Sequence, residues 1–344
     1  MTRLLAPLAG AVPLTPGAAL PPLQTIATPA LWGWTIGGIL LLFALDFVIT
    51  RRPHEVGIRE SVGWSVFYVA LPLAFGAWVW IRFGGDTGLK FLSGYVVEKS
   101  LSVDNLFVFM LLLGGFAVPR ALQQRVLLIG VAGALALRAV FIAVGAVMLA
   151  RFGITFLVFG LVLLVSAVKV WRDAVRGHDD EPDLNGLAVV RGIRRVVPVT
   201  DGYRGSAMVV TEGGRRVVTP LSVAVLAILA VDVLFAVDSV PAVFGITDDA
   251  YLVFATNAFA LMGLRALYFL ISGVLSRLVH LGHGMALILA LISVKLILHW
   301  AHTVWPRVPT ISTLWSLALI VLILAATTFT SLAASRRARA GAPG

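Results

Sequence analysis

Nine long apolar segments constrain this chain more than any other feature of its sequence. A helix needs about 20 apolar residues to cross a bilayer, and only 13% of the residues in the chain are charged. Soluble globular proteins carry about 25% charged residues. The sequence therefore predicts an all-α, polytopic membrane helix bundle, with segments near Leu31–Ile49, Val62–Phe83, Leu89–Phe116, Val126–Ala150, Phe152–Trp171, Leu221–Gly245, Ala250–Ile271, Gly284–Trp300 and Ile311–Leu332.

The two halves of the chain carry charged residues of the same kinds in the same order. Equivalent positions are Glu98 and Asp232, Asp104 and Asp238, Arg138 and Arg265, and Lys169 and Lys295, at offsets between 126 and 134. Each copy spans three segments, the third to fifth and the sixth to eighth, so the second copy enters the membrane from the opposite side. This pattern predicts an inverted repeat, a common transporter plan in which the site lies near the bilayer midplane between the repeats.

The polar stretches divide the chain into five parts. Residues 172–220 are the one sizeable polar insertion, and two β-prone runs around Glu212-Gly213-Gly214 predict a hairpin there. Prolines in the first 30 residues argue against a helical span and predict a disordered tail. The predicted parts are the tail 1–30, a first membrane half 31–171, the loop 172–220, a second membrane half 221–335 and a basic C-terminal tail 336–344.

Basic residues in the connections predict the orientation in the membrane. With the N-terminus outside, 17 Arg and Lys fall in inside connections and 5 fall outside. Positive charge accumulates on the cytoplasmic side of membrane proteins. We therefore expect the N-terminus outside, and the 172–220 loop and the C-terminus in the cytoplasm.

Acidic side chains inside apolar segments are the main functional signal. A charge at the bilayer centre costs about 3 kcal/mol on insertion scales. In the third segment, helical spacing places Glu98 and Asn105 on one face. In the sixth segment, it places Asp232 and Ser239 on one face and Asp238 on a different face. One cation reaches both halves only if a helix is broken or the halves cross closely, and Pro241 predicts a break.

The donors at these positions are all oxygen atoms, which suits Mg²⁺, Ca²⁺ and Mn²⁺. The candidate metal ligands are Glu98, Asp104, Asn105, Asp232, Asp238 and Ser239, and the candidate charge-balancing residues are Arg138, Lys169, Arg265 and Lys295. Other interpretations stay open here. Glu98 and Lys99 are alternatively an interfacial pair, the two lysines alternatively extend to the membrane surface, and the two arginines alternatively form structural pairs. Asp46 lines the same cavity or lies near the interface.

Several classes of chemistry are not supported. The chain contains no cysteine, which excludes disulfides and thiolate-bound metal or iron–sulfur sites. No convincing nucleophile–base pair or cofactor motif is found, so the sequence predicts neither an enzyme nor a resident cofactor.

Three motifs resemble the TerC family of integral membrane proteins, especially its Alx-like branch, which is distantly similar to LysE-type exporters. They begin at Glu98-Lys99-Ser100-Leu101-Ser102-Val103-Asp104-Asn105, Phe235-Ala236-Val237-Asp238-Ser239-Val240-Pro241 and Leu264-Arg265-Ala266. The resemblance covers about residues 31–332. One departure is that Leu229 and Val231 stand where the family usually has Glu and Thr.

The resemblance implies a bacterial inner-membrane protein that exports a divalent cation, with Mn²⁺ as the favoured substrate and protons as a candidate counter-ion. The alternative function is a membrane scaffold for a metal or tellurite stress-response complex, without transport activity of its own. Expected partners are the cation, the lipid bilayer and, at the cytoplasmic loop, other proteins. No nucleic acid is expected.

Overall fold

Ten helices and one two-stranded sheet make up the described part of this protein, in a computed structural model that covers residues 25–49, 58–176, 199–200, 202–212, 215–271 and 280–340. The elements are α1 (Pro29–Ile49), α2 (Ile58–Phe83), α3 (Gly85–Gly115), α4 (Arg120–Arg151), α5 (Thr155–Arg176), β1 (Val209–Glu212), β2 (Arg215–Val218), α6 (Pro220–Phe244), α7 (Ala250–Met262), α8 (Leu264–Ile271), α9 (Leu281–Val304) and α10 (Thr313–Ala340).

The predicted all-α polytopic membrane class is confirmed. Eight described helical segments are long and apolar enough to cross a membrane, and α7 and α8 together form one of them. The remaining predicted segment, the third, is α3, which is long enough but carries Glu98, Lys99 and Asp104 near its middle. Helix α3 is thus the long helix that holds the first acidic motif.

Helix ends differ from the predicted segment ends in a few places. The eighth segment begins earlier than predicted, at Leu281, and the last helix continues to Ala340, so it includes part of the predicted basic tail. Residues 25–30, predicted as the end of a disordered tail, are described. Thr25 and the backbone N–H of Ile26 donate to the carboxylate of Asp249, 2.9 and 2.8 Å away, at the start of α7. Residues 1–24 lie outside the described residues.

Helix packing joins the two halves around α3, α4, α6 and α7. Helix α3 packs against α2, α6 and α7, while α4 packs against α6 and α7, and α5 lies along α9. Gly130 and Gly133 bring α4 close to α6, because a Cβ atom at either glycine would lie within 3 Å of Ile228 or Leu229. In the predicted repeat, the α3–α7 and α4–α6 contacts are equivalent. The inverted relation between the halves stays a prediction.

The strands β1 and β2 pair antiparallel where the sequence predicts a hairpin, with Val209 opposite Val218. This segment is attached to both halves. The Tyr203 hydroxyl donates to the Phe116 carbonyl at the end of α3 (2.6 Å), and Ser222 in α6 donates to the Met208 carbonyl (2.5 Å). Burial raises the pKa of Tyr203. Most of the 172–220 loop lies outside the described residues.

Candidate functional site

A buried arginine joins four helices at the centre of the bundle. The guanidinium of Arg138 in α4 is fully buried. It makes ion pairs with Glu98 in α3 and with Asp232 in α6. The acids therefore come from both halves of the chain, and Arg138 neutralises one of their two negative charges. The formal charge of the three groups is −1.

Arg138 holds Asp232 through two parallel hydrogen bonds. Its Nε donates to Asp232 Oδ2 at 3.3 Å and its Nη2 donates to Asp232 Oδ1 at 3.0 Å. This two-point geometry fits a carboxylate to the planar guanidinium, and bonds of this kind are about twice as strong as neutral ones. Asp232 is thereby fixed in orientation as well as in charge.

Arg138 also contacts neutral oxygens. Its Nη1 donates to Ser239 Oγ at 3.0 Å and to Asn257 Oδ1 at 2.9 Å, in addition to Glu98. The Asn257 amide nitrogen in turn donates to the Val253 carbonyl at 3.0 Å. When the side-chain amide of Asn105 is flipped, both its nitrogen and its oxygen form hydrogen bonds. The oxygen then accepts from Arg138 Nη2 at 3.3 Å. We call Glu98, Asn105, Arg138, Asp232, Ser239 and Asn257 the central cluster.

Two buried oxygen atoms beside the central cluster have no hydrogen-bond partner among the described residues. They are Glu98 Oε2 and Ser102 Oγ, one helical turn apart on α3. Ser93 and Ser100 on the same helix instead donate to the carbonyls four residues before them, each at 2.6 Å. An unmatched buried polar atom costs about 1–3 kcal/mol and in a native protein calls for a physical explanation.

The predicted face assignments agree with this geometry. Asp232 and Ser239 lie on one face of α6 and both contact Arg138, whereas Asp238 faces α5 and accepts a 2.5 Å hydrogen bond from Ser166. The two acids of the second copy are thus separated. The backbone of Asp104 lies in α3, but its side chain is outside the described part of the chain.

The predicted break at Pro241 is wrong. Helix α6 continues from Pro220 to Phe244, with Pro241 inside it. Close crossing of the halves, the other route left open by the sequence, brings Glu98 and Asp232 to one guanidinium. A proline removes one backbone donor, but the buried Pro241 lies in the last turn of α6, which ends three residues later at Phe244.

The four candidate charge-balancing residues have different surroundings. Arg138 alone lies in the central cluster. Arg265 is paired with Asp46 of α1, which places Asp46 in a second buried ion pair. Lys169 is exposed on α5, near Asp238. Lys295 has no hydrogen-bond partner for its buried Nζ among the described residues.

The alternative pairing of Glu98 with Lys99 is not formed. Glu98 bonds to Arg138, and Lys99 Nζ donates instead to the Ala260 carbonyl in α7 at 3.3 Å. Asn257 is the member of the central cluster that sequence reasoning missed. In the sequence, Asn257 is visible only as a single amide within a largely apolar membrane segment. The repeat pattern did not mark this position.

A multi-pass bundle of apolar helices with a buried charge cluster at its centre defines the class of integral membrane proteins. The family model for integral membrane proteins of the TerC family matches residues 83–339, and the chain belongs to this family. It is 39% identical over 315 residues to an uncharacterized membrane protein of Myxococcus xanthus, covering 91% of this chain and 95% of that protein.

Some of the other relatives carry a functional description and some do not. The putative membrane-bound redox modulator Alx of Escherichia coli is 36% identical over 286 residues, covering 80% of this chain and 88% of that protein. An uncharacterized membrane protein of Mycobacterium tuberculosis is 40% identical over 277 residues, covering 80% and 70%. No solved structure matches this chain.

Proposed function

We propose that this protein exports a divalent cation, Mn²⁺ in the first instance, across a bacterial inner membrane in exchange for protons. The observation that carries the proposal is the central cluster. Two carboxylates from opposite halves meet there, surrounded by amide and hydroxyl oxygens, at a depth where unpaired charge is costly. Oxygen donors of this kind suit Mn²⁺. The proposal requires no enzyme chemistry and no resident cofactor.

Arg138 is the internal counter-cation in this mechanism. With the guanidinium bound to Glu98 and Asp232, the carboxylates are stabilised without cargo. A divalent cation that enters must displace Arg138 from at least one of them, because a second cation beside the guanidinium would be repelled. Guanidinium and cargo therefore bind the carboxylates alternately.

Proton exchange follows from the same competition. A carboxylate released by Arg138 can be neutralised either by the metal ion or by a proton, as in the acidic relays of pumps and transporters. Glu98 Oε2, which has no partner among the described residues, is the candidate position for that proton. After cargo release on the outside, Arg138 returns to Asp232 and a proton from outside neutralises Glu98. Release of that proton to the cytoplasm ionises Glu98 again and restores the paired state.

A redox function, as in the name of the Escherichia coli relative, is less well supported for this chain. The sequence contains no cysteine, so the protein itself has no thiol to oxidise. Cation transport that affects the redox state of the cell indirectly is compatible with that name.

The test is Mn²⁺ flux into proteoliposomes that contain the purified protein and a trapped metal-sensitive dye. We expect flux with the wild type and about a tenfold loss in Asp232→Asn, because a charge-assisted hydrogen bond or ligand contributes about 1.5–3 kcal/mol. Asp86→Asn is the control, since this carboxylate is 73% exposed at the start of α3. It should transport normally.

Two results would contradict the proposal. An absence of Mn²⁺ flux in the wild type would favour the scaffold that works through residues 172–220. Normal flux in Asp232→Asn would remove the central cluster from the transport path.

A further inference from the structure

A polar cavity lies away from the central cluster, at the membrane face opposite the β-hairpin. Its volume is about 430 Å³, and its walls come from α3, the α6–α7 connection, α9 and the beginning of α10. Lys90, Lys295, Thr247, Ser312 and Thr313 contribute polar atoms to the lining. We call this space the outer cavity.

Lys295 supplies a positive charge without a partner. Its ammonium nitrogen is shielded from solvent and makes no hydrogen bond to any described residue. Lys90, the second lysine, is paired with Asp86 at 2.8 Å, so the Asp86 carboxylate compensates its charge. A buried ammonium is costly unless an anion or several acceptors compensate it. The lining therefore lacks an anion at Lys295.

The beginning of α10 adds neutral donors on the other wall. Helix α10 begins at Thr313, and the first N–H groups of a helix have no partners within it and carry partial positive charge. The N–H of Trp315 already donates to Ser312 Oγ at 3.4 Å, which leaves the N–H groups of Thr313 and Leu314. The hydroxyls of Ser312 and Thr313 line the cavity beside them. An ammonium, helix N–H groups and hydroxyls together are the donor set that recognises a phosphate.

Asp248, the acid among the described lining residues, does not neutralise this arrangement. Its carboxylate is exposed, and it acts electrostatically on His299. The described lining thus contains two lysines and one aspartate, with the unpartnered charge at Lys295.

We propose that the outer cavity binds a phosphate-type oxyanion between Lys295 and the beginning of α10. The same chemistry is offered by free phosphate and by the headgroup of an anionic phospholipid at the membrane surface. This site is independent of cation export through the central cluster, so either proposal can fail without the other.

The experiment compares the purified wild type with Lys295→Met in two assays. Inorganic phosphate is titrated calorimetrically into delipidated protein in detergent. Phosphatidylglycerol retained by the protein is counted by native mass spectrometry. We expect binding that is weakened by about tenfold or more in the variant, since it loses a charge-assisted contact.

Matched variants separate this site from nonspecific charge effects. Arg307→Met removes an exposed charge from the same α9–α10 connection, outside the described lining, and should bind as the wild type does. Lys295→Arg keeps the charge and should keep binding. If Lys295→Met does not fold, Lys90→Met tests the same cavity and should also weaken binding.

The assay that responds identifies the source of the oxyanion. Phosphate binding in delipidated protein indicates a free anion, and selective lipid retention indicates a headgroup. The proposal is overturned if the wild type binds neither probe. It is also overturned if Lys295→Met binds as well as Arg307→Met does. If Lys295→Met does not fold, Lys90→Met takes its place in this comparison.

Discussion

At the scale of single residues, Arg138 has the most contacts with polar groups of any side chain in the central cluster. It bonds to two carboxylates, a hydroxyl and two amide oxygens. Removing one partner of a buried ion pair costs about 3–5 kcal/mol, because the other charge is left uncompensated. Lysine keeps the charge but lacks the planar fork that reaches Asp232 and Glu98 together.

Arg138→Lys should therefore retain folded protein and lose transport. We expect Mn²⁺ flux in proteoliposomes to fall by about tenfold, since at least one charge-assisted hydrogen bond worth about 1.5–3 kcal/mol is lost. Arg82→Lys, at an exposed arginine near the end of α2, is the control. Flux equal to that of the control would mean that the two-point geometry at Asp232 is not needed.

Ser102 offers a test of the unpartnered hydroxyl beside Glu98. Because Ser102 Oγ is buried and makes no hydrogen bond to any described residue, Ser102→Ala removes a destabilising group and should raise the melting temperature slightly. If the hydroxyl is a cation ligand, the apparent Mn²⁺ affinity should drop about fivefold, or by about 1 kcal/mol. Ser100→Ala, which removes a hydrogen bond within α3, is the comparison. Unchanged affinity would exclude Ser102 as a ligand.

At the scale of elements, α5 and α9 show how small residues set the distance between helices. A Cβ atom at Gly160 would lie 2.7 Å from Ile297 Cγ1 and 3.2 Å from the backbone oxygen of Ser293. The Ser293 hydroxyl also donates to the Gly160 carbonyl at 2.8 Å. Backbone atoms on both sides leave little room for adjustment, as is usual where small residues bring membrane helices together.

Gly160→Ala should separate α5 from α9 and destabilise the protein by about 1–3 kcal/mol, the usual cost of overpacking. Thermal unfolding in detergent measures this loss. Gly114→Ala is the matched control, because a Cβ atom there meets nothing within 4 Å and alanine favours a helix. A melting temperature for Gly160→Ala at or above that of the control would show that the interface can adjust.

At the scale of the whole molecule, contacts between the segments that connect the helices define two faces of the bundle. Thr25 reaches Asp249 at one face, and Tyr203 reaches Phe116 at the other. The distribution of basic residues predicts that the second face, with the β-hairpin, lies in the cytoplasm. With that predicted orientation, the outer cavity opens outside the cell.

Single-cysteine labelling checks this orientation without background, because the natural chain has no cysteine. Thr211→Cys, at an exposed position in β1, should react with a membrane-impermeant maleimide only after the cells are opened. Arg307→Cys should react in intact cells. The opposite pattern would reverse the topology and, with it, the direction of transport.

The sequence alone determined the helices and the repeated charges. Apolar runs of about 20 residues form helices in a bilayer because each backbone N–H and C=O must be satisfied within the segment. That requirement is local, so Leu221–Gly245 predicted α6 (Pro220–Phe244) to within one residue at each end. Local spacing likewise separated Asp238 from the face shared by Asp232 and Ser239.

Only the tertiary structure decided which charges meet. The repeat makes Arg138 and Arg265 equivalent, but Arg138 joins Glu98 to Asp232, whereas Arg265 pairs with Asp46 of α1. Helix α1 lies outside the repeat and gives the second arginine a partner that the first one lacks. Asn257 reaches Arg138 from 119 residues away. Ion pairing in a bilayer depends on which helices cross closely enough to share a charge, and local sequence spacing does not specify that crossing.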